Sequence, residues 1–115
     1  MPASEIIFKP VAELAPLIKA RKLSPVEVVR AYLDQIERLN PKVNAFITIT
    51  AEQALAQARK AETEIAAGRY RGPLHGLPYA PKDMLATKGI RTTNGSRATS
   101  TNVPAYESTD RKSVV

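Results

Sequence analysis

No cysteine occurs in this chain, so neither a disulfide framework nor a thiolate metal site is open to it. Histidine occurs once, at position 75, and one imidazole with few possible ligands nearby does not build a metal centre. No metal and no cofactor are expected. No apolar run approaches the roughly 18 residues needed to cross a bilayer. The N-terminus, Met1-Pro-Ala-Ser-Glu-Ile-Ile, also lacks the basic region and apolar stretch of a signal peptide. These absences lead to the expectation of a soluble, cytoplasmic protein with no membrane partner. Aromatic residues are scarce at 5%, and Ala supplies much of the 43% hydrophobic content, which suits close helix packing but gives little area per residue. A length of 115 residues is within the range of one ordinary domain.

Acidic residues are fewer than basic ones, 11 against 17, which leaves a net charge of +6. A nucleic-acid partner would need those cations gathered on one face. Residues 1–65 are nearly balanced, and most of the excess lies in residues 66–115. There Arg69, Arg71, Lys82, Lys88, Arg91, Arg97, Arg111 and Lys112 stand singly between Gly, Pro and Thr. No basic helix face and no aromatic-interleaved stripe results. The charge reads as a solvated surface, or one that acidic chain beyond residue 115 would cover, and no nucleic-acid partner is expected.

The first half has the 3.6-residue period of helices. Val11, Leu14, Leu17 and Ile18 fall at helical spacing, with Pro16 as an objection to a straight helix. Ser24-Pro-Val-Glu27 is a start signal, with Ser24 as the cap, Pro25 at the first helical position and Glu27 completing a capping box. Val26, Val29, Leu33, Ile36 and Leu39 then make an apolar stripe that should end at Asn40-Pro41. Glu27, Arg30, Asp34 and Arg38 hold the polar face, at spacings that allow ion pairs. Residues 43–50 are rich in β-branched side chains and predict a strand or extended segment. Thr50 is the expected cap of an Ala-rich helix running to Gly68, with Ala51, Ala54, Leu55, Ala58, Ala61 and Ile65 as a thin stripe.

After Gly68 the helical period disappears. Leu77-Pro-Tyr-Ala predicts a short strand that Pro78 and Pro81 deprive of donors, and Ile90-Arg91 predicts the start of another. From Thr92 to Asp110 the chain is Thr, Ser, Asn, Gly and Pro with little to bury, which reads as a long active-site loop in a complete domain and as a disordered tract otherwise. An apolar run begins at Val114 and Val115.

One lysine stands out. Gly72-Pro-Leu-His-Gly-Leu-Pro-Tyr-Ala-Pro-Lys-Asp83 delivers Lys82 at the end of an apolar run fenced by residues that fix backbone geometry. A lysine acts as a base near neutral pH only where burial or a neighbouring cation lowers its pKa to about 7–8. Tyr79, Ala80, Pro81, Met84 and Leu85 are apolar enough to desolvate Lys82, while Asp83 either pairs with it or is sent to the opposite face by strand alternation. From spacing alone such a lysine is ordinarily just solvated. His75 could serve a Ser-His-Asp arrangement only with Asp83 or Asp110, and a lone His in a Gly-bounded turn is ordinarily a structural hydrogen-bonder. Ser96 follows Gly95, but a serine hydroxyl without a positioned partner is inert. No phosphate-binding Gly-rich loop is spelled out.

These segments together resemble the amidase signature family, in order and spacing. The resemblance runs through Leu23-Ser-Pro-Val-Glu-Val-Val, Asn40-Pro-Lys-Val-Asn-Ala-Phe-Ile, Gly72-Pro-Leu-His-Gly-Leu-Pro, Lys82-Asp83, Thr92-Thr-Asn-Gly-Ser96 and Val103-Pro-Ala-Tyr. It implies an α/β fold, a large domain around a mixed sheet, of which residues 1–115 would be the N-terminal part. That part divides into a helical portion over 1–68 and a catalytic-lysine strand and loop region over 69–115. It also implies hydrolysis of carboxylic amides by a Ser-cisSer-Lys triad, with Lys82 as the catalytic lysine and a small-molecule amide as substrate. The full-length protein could form a homodimer. The two serines belong to a Gly/Ser-rich signature farther along in the family, and no Gly-Gly-Ser-Ser-Gly-Gly stretch occurs between Met1 and Val115. The expectation is therefore a segment carrying the base without the nucleophile, inactive alone. The same motifs fit the amidase subunit of a tRNA-dependent amidotransferase, and a non-catalytic interaction module is the reading from another class.

Overall fold

Four helices, α1 (Ala3–Ile6), α2 (Val11–Lys19), α3 (Pro25–Val43) and α4 (Ala51–Ala66), occupy the first of two compact units, Met1–Pro78, in the computed structural model, which describes residues 1–108. The start of α3 follows its capping signal. Ser24 Oγ accepts the Val26 N–H at 3.0 Å, and the Glu27 carboxylate accepts the Ser24 N–H at 2.8 Å. The same Ser24 hydroxyl donates to Glu62 of α4 at 2.5 Å, so the cap also joins two helices.

Helix α2 runs through Pro16, which lacks the N–H that the Ala12 carbonyl would have received. It ends in a paired turn: the Arg21 N–H reaches the Ile18 carbonyl at 3.0 Å and the Lys22 N–H reaches that of Leu17 at 2.9 Å. That closure puts Arg21 at φ +61°, a conformation glycine ordinarily supplies. Helix α4 closes in the same way with the expected residue, Gly68 at φ +81°. Thr50 precedes α4 without giving it a side-chain cap bond, contrary to expectation.

Helix α3 outlasts its expected end at Asn40-Pro41 and continues to Val43. The Asn40 side chain accounts for this. Its amide nitrogen donates to the Phe46 carbonyl at 3.1 Å and its oxygen accepts the Phe46 N–H at 2.9 Å, while Asn44 takes the left-handed cap conformation at φ +49°. Two side-chain bonds to the chain beyond the helix offset the bias against helical backbone before proline.

Helix α3 packs against α1 and α4. Ile6, Leu14, Ile18, Leu23, Val28, Ala31 and Ile65 form one buried cluster, with Tyr32, Tyr70 and Leu77 packed against it. Leu14, Ile18 and Val28 are the largest side chains wholly removed from water, each contributing about 1.5–3 kcal/mol. The core face of α3 is thus centred on Val28 and Ala31, and of the expected stripe only Val29 is buried. Arg38 donates to Gln35 at 2.7 Å in place of the anticipated pairing with Asp34.

Among the described residues there is no strand. The β-branched stretch 43–50 is α3's last residue followed by irregular chain, and Ile47 and Ile49 are exposed on it. Residues 77–80 and 90–91 are likewise irregular. A strand exists only as a pair, and among the described residues none of these segments is assigned to a ladder with another.

The second unit begins at Tyr79. Its one helical element among the described residues is a short 3-10 turn, Arg97–Thr99. Hydrogen bonds replace apolar burial in holding it. The Thr92 N–H reaches the Asn102 carbonyl at 2.9 Å, and the Asn102 side chain returns a bond to the Thr92 carbonyl at 3.1 Å. The Gly89 N–H meets the Pro104 carbonyl at 3.0 Å, and the Ser108 N–H meets that of Ala86 at 2.8 Å. Thr87, Thr92, Thr93 and Pro104 are buried, so of the two readings of the tract, a long loop or a disordered one, residues 92–108 take the form of a hydrogen-bonded loop. Asp110, Arg111, Lys112 and the apolar start at Val114 lie outside the described residues.

Candidate active site

The glycine-bounded turn after α4 is shaped by two constraints. The His75 N–H bonds the Gly72 carbonyl at 3.0 Å and the Leu77 N–H bonds that of Leu74 at 3.1 Å, giving two successive reversals. Gly76 sits at φ +86° between them, and a Cβ there would come within 2.7 Å of Pro25 Cγ and 3.5 Å of Ile18 Cγ2. Both the backbone conformation and the close approach to α3 demand glycine.

His75 is only 8% exposed and its ring is fully engaged. Nδ1 accepts the Arg71 N–H at 3.0 Å, so this nitrogen carries no proton. The proton is assigned by that bond to Nε2, which donates to Glu64 Oε2 at 2.9 Å. Arg71 reaches the same oxygen at 3.1 Å. Desolvation pushes the Glu64 pKa upward, but the His75 hydrogen bond, followed by the charges of Arg71 and Lys60, leaves it below the ordinary carboxylate value. His75 thus ties the turn to the end of α4, the structural role its setting suggested.

Lys82 lies in the second unit and is exposed. Its carbonyl accepts the Leu85 N–H at 3.0 Å, closing a turn where a strand was expected. The neighbours anticipated to desolvate it do not bury it, because Tyr79, Ala80 and Met84 are themselves exposed. Asp83 does not pair with it. One Asp83 oxygen accepts the Thr93 N–H at 2.9 Å and the other accepts the Thr93 hydroxyl. The Asp83 carbonyl takes the Asn94 N–H at 2.8 Å, and Thr93 Oγ1 accepts the Gly95 N–H at 3.2 Å. The Thr93 hydroxyl and amide bonds, aided by the Gly95 amide and the Arg91 charge and opposed by desolvation, hold the Asp83 pKa below its ordinary value.

Two segments singled out in the sequence, Lys82-Asp83 and Thr92-Thr-Asn-Gly-Ser96, are therefore joined by three hydrogen bonds, all of them to Asp83. Left-handed Asn94 and Gly95, at φ +53° and +70°, bend the chain so that successive N–H groups turn toward that residue. Thr93 is the partner that sequence reasoning missed. The available signal was a Thr-Thr-Asn-Gly turn whose crowded amide donors need an acceptor. Ser96 Oγ accepts the Ala98 N–H at 3.2 Å and caps the 3-10 turn, so its hydroxyl has a structural use. Among the described residues no group of three or more His, Asp or Glu could hold a metal ion, and no helix is long and apolar enough to cross a membrane.

The family model described as Amidase matches residues 27–112. The glutamyl-tRNA(Gln) amidotransferase A-subunit from Geobacter sp. (strain M21) is 50% identical over 105 residues, covering 91% of this chain and 21% of that protein. The protein of the same name from Dehalococcoides mccartyi is 48% identical over 103 residues, covering 90% and 21%. That from Methylococcus capsulatus is 50% identical over 99 residues, covering 86% and 20%. The chain spans about a fifth of the length of these curated relatives.

Proposed function

The chain belongs to the amidase signature family, and on that premise we propose that it supplies the lysine-bearing segment of the amidase subunit of a tRNA-dependent amidotransferase. The observation that carries this reading is identity near one half, across nine-tenths of the chain, to proteins named as that subunit. The reading takes the larger protein as an α/β domain in which residues 1–68 are a helical portion and 69–115 bear the catalytic lysine and its loop. Its substrate is a small primary amide. Its product ammonia is passed to glutamyl-tRNA(Gln), with other subunits as partners and the cytoplasm as location.

In that reading Lys82 is the base. A neutral amine at Lys82 takes a proton through one serine from a second serine, whose oxygen attacks the amide carbonyl. The C–N bond breaks, the nitrogen leaves as ammonia with the relayed proton, and an acyl-enzyme remains for water to hydrolyse. The rest of the subunit supplies both serines and the surroundings that remove Lys82 from solvent. What supports this role is local to each unit: Gly76 fixes one turn in the first, and in the second Asp83 is tied to the Thr93 loop.

The test uses the subunit carrying this segment with its partner subunits, L-glutamine and glutamyl-tRNA(Gln). Ammonia release that rises when the charged tRNA is added, with amide appearing on the tRNA, is the expected result. Hydrolysis of simple amides at a rate indifferent to the tRNA would identify a plain amidase instead.

A further inference from the structure

Lysine is a flexible base. Its four-carbon stem carries a point charge with no preferred plane, so whatever fixes its place must act through its backbone or its surroundings. In this chain the surroundings leave Lys82 exposed, while the backbone on its C-terminal side is held with unusual thoroughness. Both carboxylate oxygens of Asp83 are engaged by Thr93, and the Asp83 carbonyl is engaged by Asn94. The Lys82 carbonyl is taken by the Leu85 N–H in the adjoining turn.

We propose that Asp83 is a positioning residue for Lys82: it acts through Thr93 to hold the lysine's Cα fixed against the Thr92–Ser96 loop and takes no part in proton transfer itself. This rests on the reading of Lys82 as the base. Two observations separate positioning from the obvious alternative, a carboxylate that holds its neighbour charged. Among the described residues Lys82 makes no ion pair, and the Asp83 oxygens face Thr93. The clamp is also reciprocal. Thr93 gives Asp83 both its N–H and its hydroxyl, and its own oxygen receives the Gly95 N–H, so loop and lysine segment move as one piece. The consequence is that Thr93, with no ionisable group, should matter for turnover nearly as much as the carboxylate it holds.

The experiment measures ammonia release from L-glutamine by the complete subunit with its partners, as kcat and KM, with the folded fraction of each variant followed by circular dichroism. Its variants are Lys82→Ala, Thr93→Val, Thr93→Ser and Asp83→Asn. Thr93→Val should lower kcat by about ten- to a hundredfold, the scale of a 1 Å displacement of a catalytic group, with KM within about twofold. Thr93→Ser keeps the hydroxyl and should stay within about threefold of the parent. A merely structural role would lower the folded fraction and leave kcat per folded molecule at the parent value; that result overturns the proposal. So does parent-like kcat in Thr93→Val while Lys82→Ala is inactive. If Thr93→Val does not fold, Asp83→Asn, equal in size, carries the same expectations for kcat and KM. Activity retained in Lys82→Ala would instead remove the reading on which the proposal stands.

Discussion

Replacing Gly76 by Ala tests the link between the glycine turn and the helical core. At φ +86° an L-residue is strained by roughly 1–2 kcal/mol. The added Cβ would meet Pro25 Cγ at 2.7 Å, closer than nonbonded carbons rest. Pro25 cannot swing aside, since it is buried and its ring is fixed at the first position of α3. Overpacking of this kind costs about 1–3 kcal/mol. Against this, alanine narrows the unfolded ensemble by about 0.4–1 kcal/mol. The net expectation is a loss of about 1–4.5 kcal/mol. Gly68 is the control. Its φ is +81°, but nothing lies within 4 Å of a Cβ there, so Gly68→Ala carries the strain without the clash. Urea unfolding followed by helical circular dichroism should place Gly76→Ala well below Gly68→Ala. At an m-value of about 1–2 kcal/mol/M, the overpacking alone should separate the two midpoints by roughly 0.5–3 M. Equal midpoints would mean that Gly76 does not approach Pro25 and that the packing described for this turn is wrong.

Arg21→Gly should stabilise the helical unit by a few tenths to about 1 kcal/mol, because glycine relieves the left-handed strain that closes α2 and gives back part of it as chain entropy; the urea midpoint should rise. Acid should weaken both carboxylate ties. The folded-state pKa values of Asp83 and Glu64 are lowered, so their stabilisation is complete above the ordinary carboxylate range near 4 and drains as pH falls through the lowered values. Asp83→Asn should abolish the acid-dependent shift of the Thr93 amide resonance, and persistence of that shift would assign it to another group. The 115-residue chain alone should release no ammonia from aliphatic or aromatic amides above its Lys82→Ala control, because it contains no Gly/Ser-rich signature to supply the nucleophile. Turnover dependent on Lys82 would contradict that.

The helical half was legible because its signals are local. A capping box, a Pro at the first position and a Gly at the end act within one turn, and the structure places α3 and α4 where they point. The end of α3 was not legible, since the Asn40 bonds to Phe46 are made by a side chain whose partner lies six residues on. The strands failed for a different reason. Stretch 43–50 has strand composition, but pairing is a non-local property that composition does not carry. His75 as a hydrogen-bonder was legible from its turn, whereas its partner Glu64 was not. Lys82 stands out through the family resemblance alone; spacing would have left it a solvated lysine. The Asp83–Thr93 clamp spans ten residues of aperiodic loop, where neither helical nor strand period can announce a contact.

The central claim is that Lys82 is a base that must accept a proton. The direct measurement compares Lys82→Ala and Lys82→Arg in the complete subunit by ammonia release from L-glutamine. Loss of a general base costs about a hundredfold or more, and Lys82→Ala should fall by at least that much. Lys82→Arg should do no better, because a guanidinium keeps its charge but cannot accept a proton. An arginine variant that retained most of the parent's turnover would make position 82 an electrostatic or structural site and would contradict the role given to it.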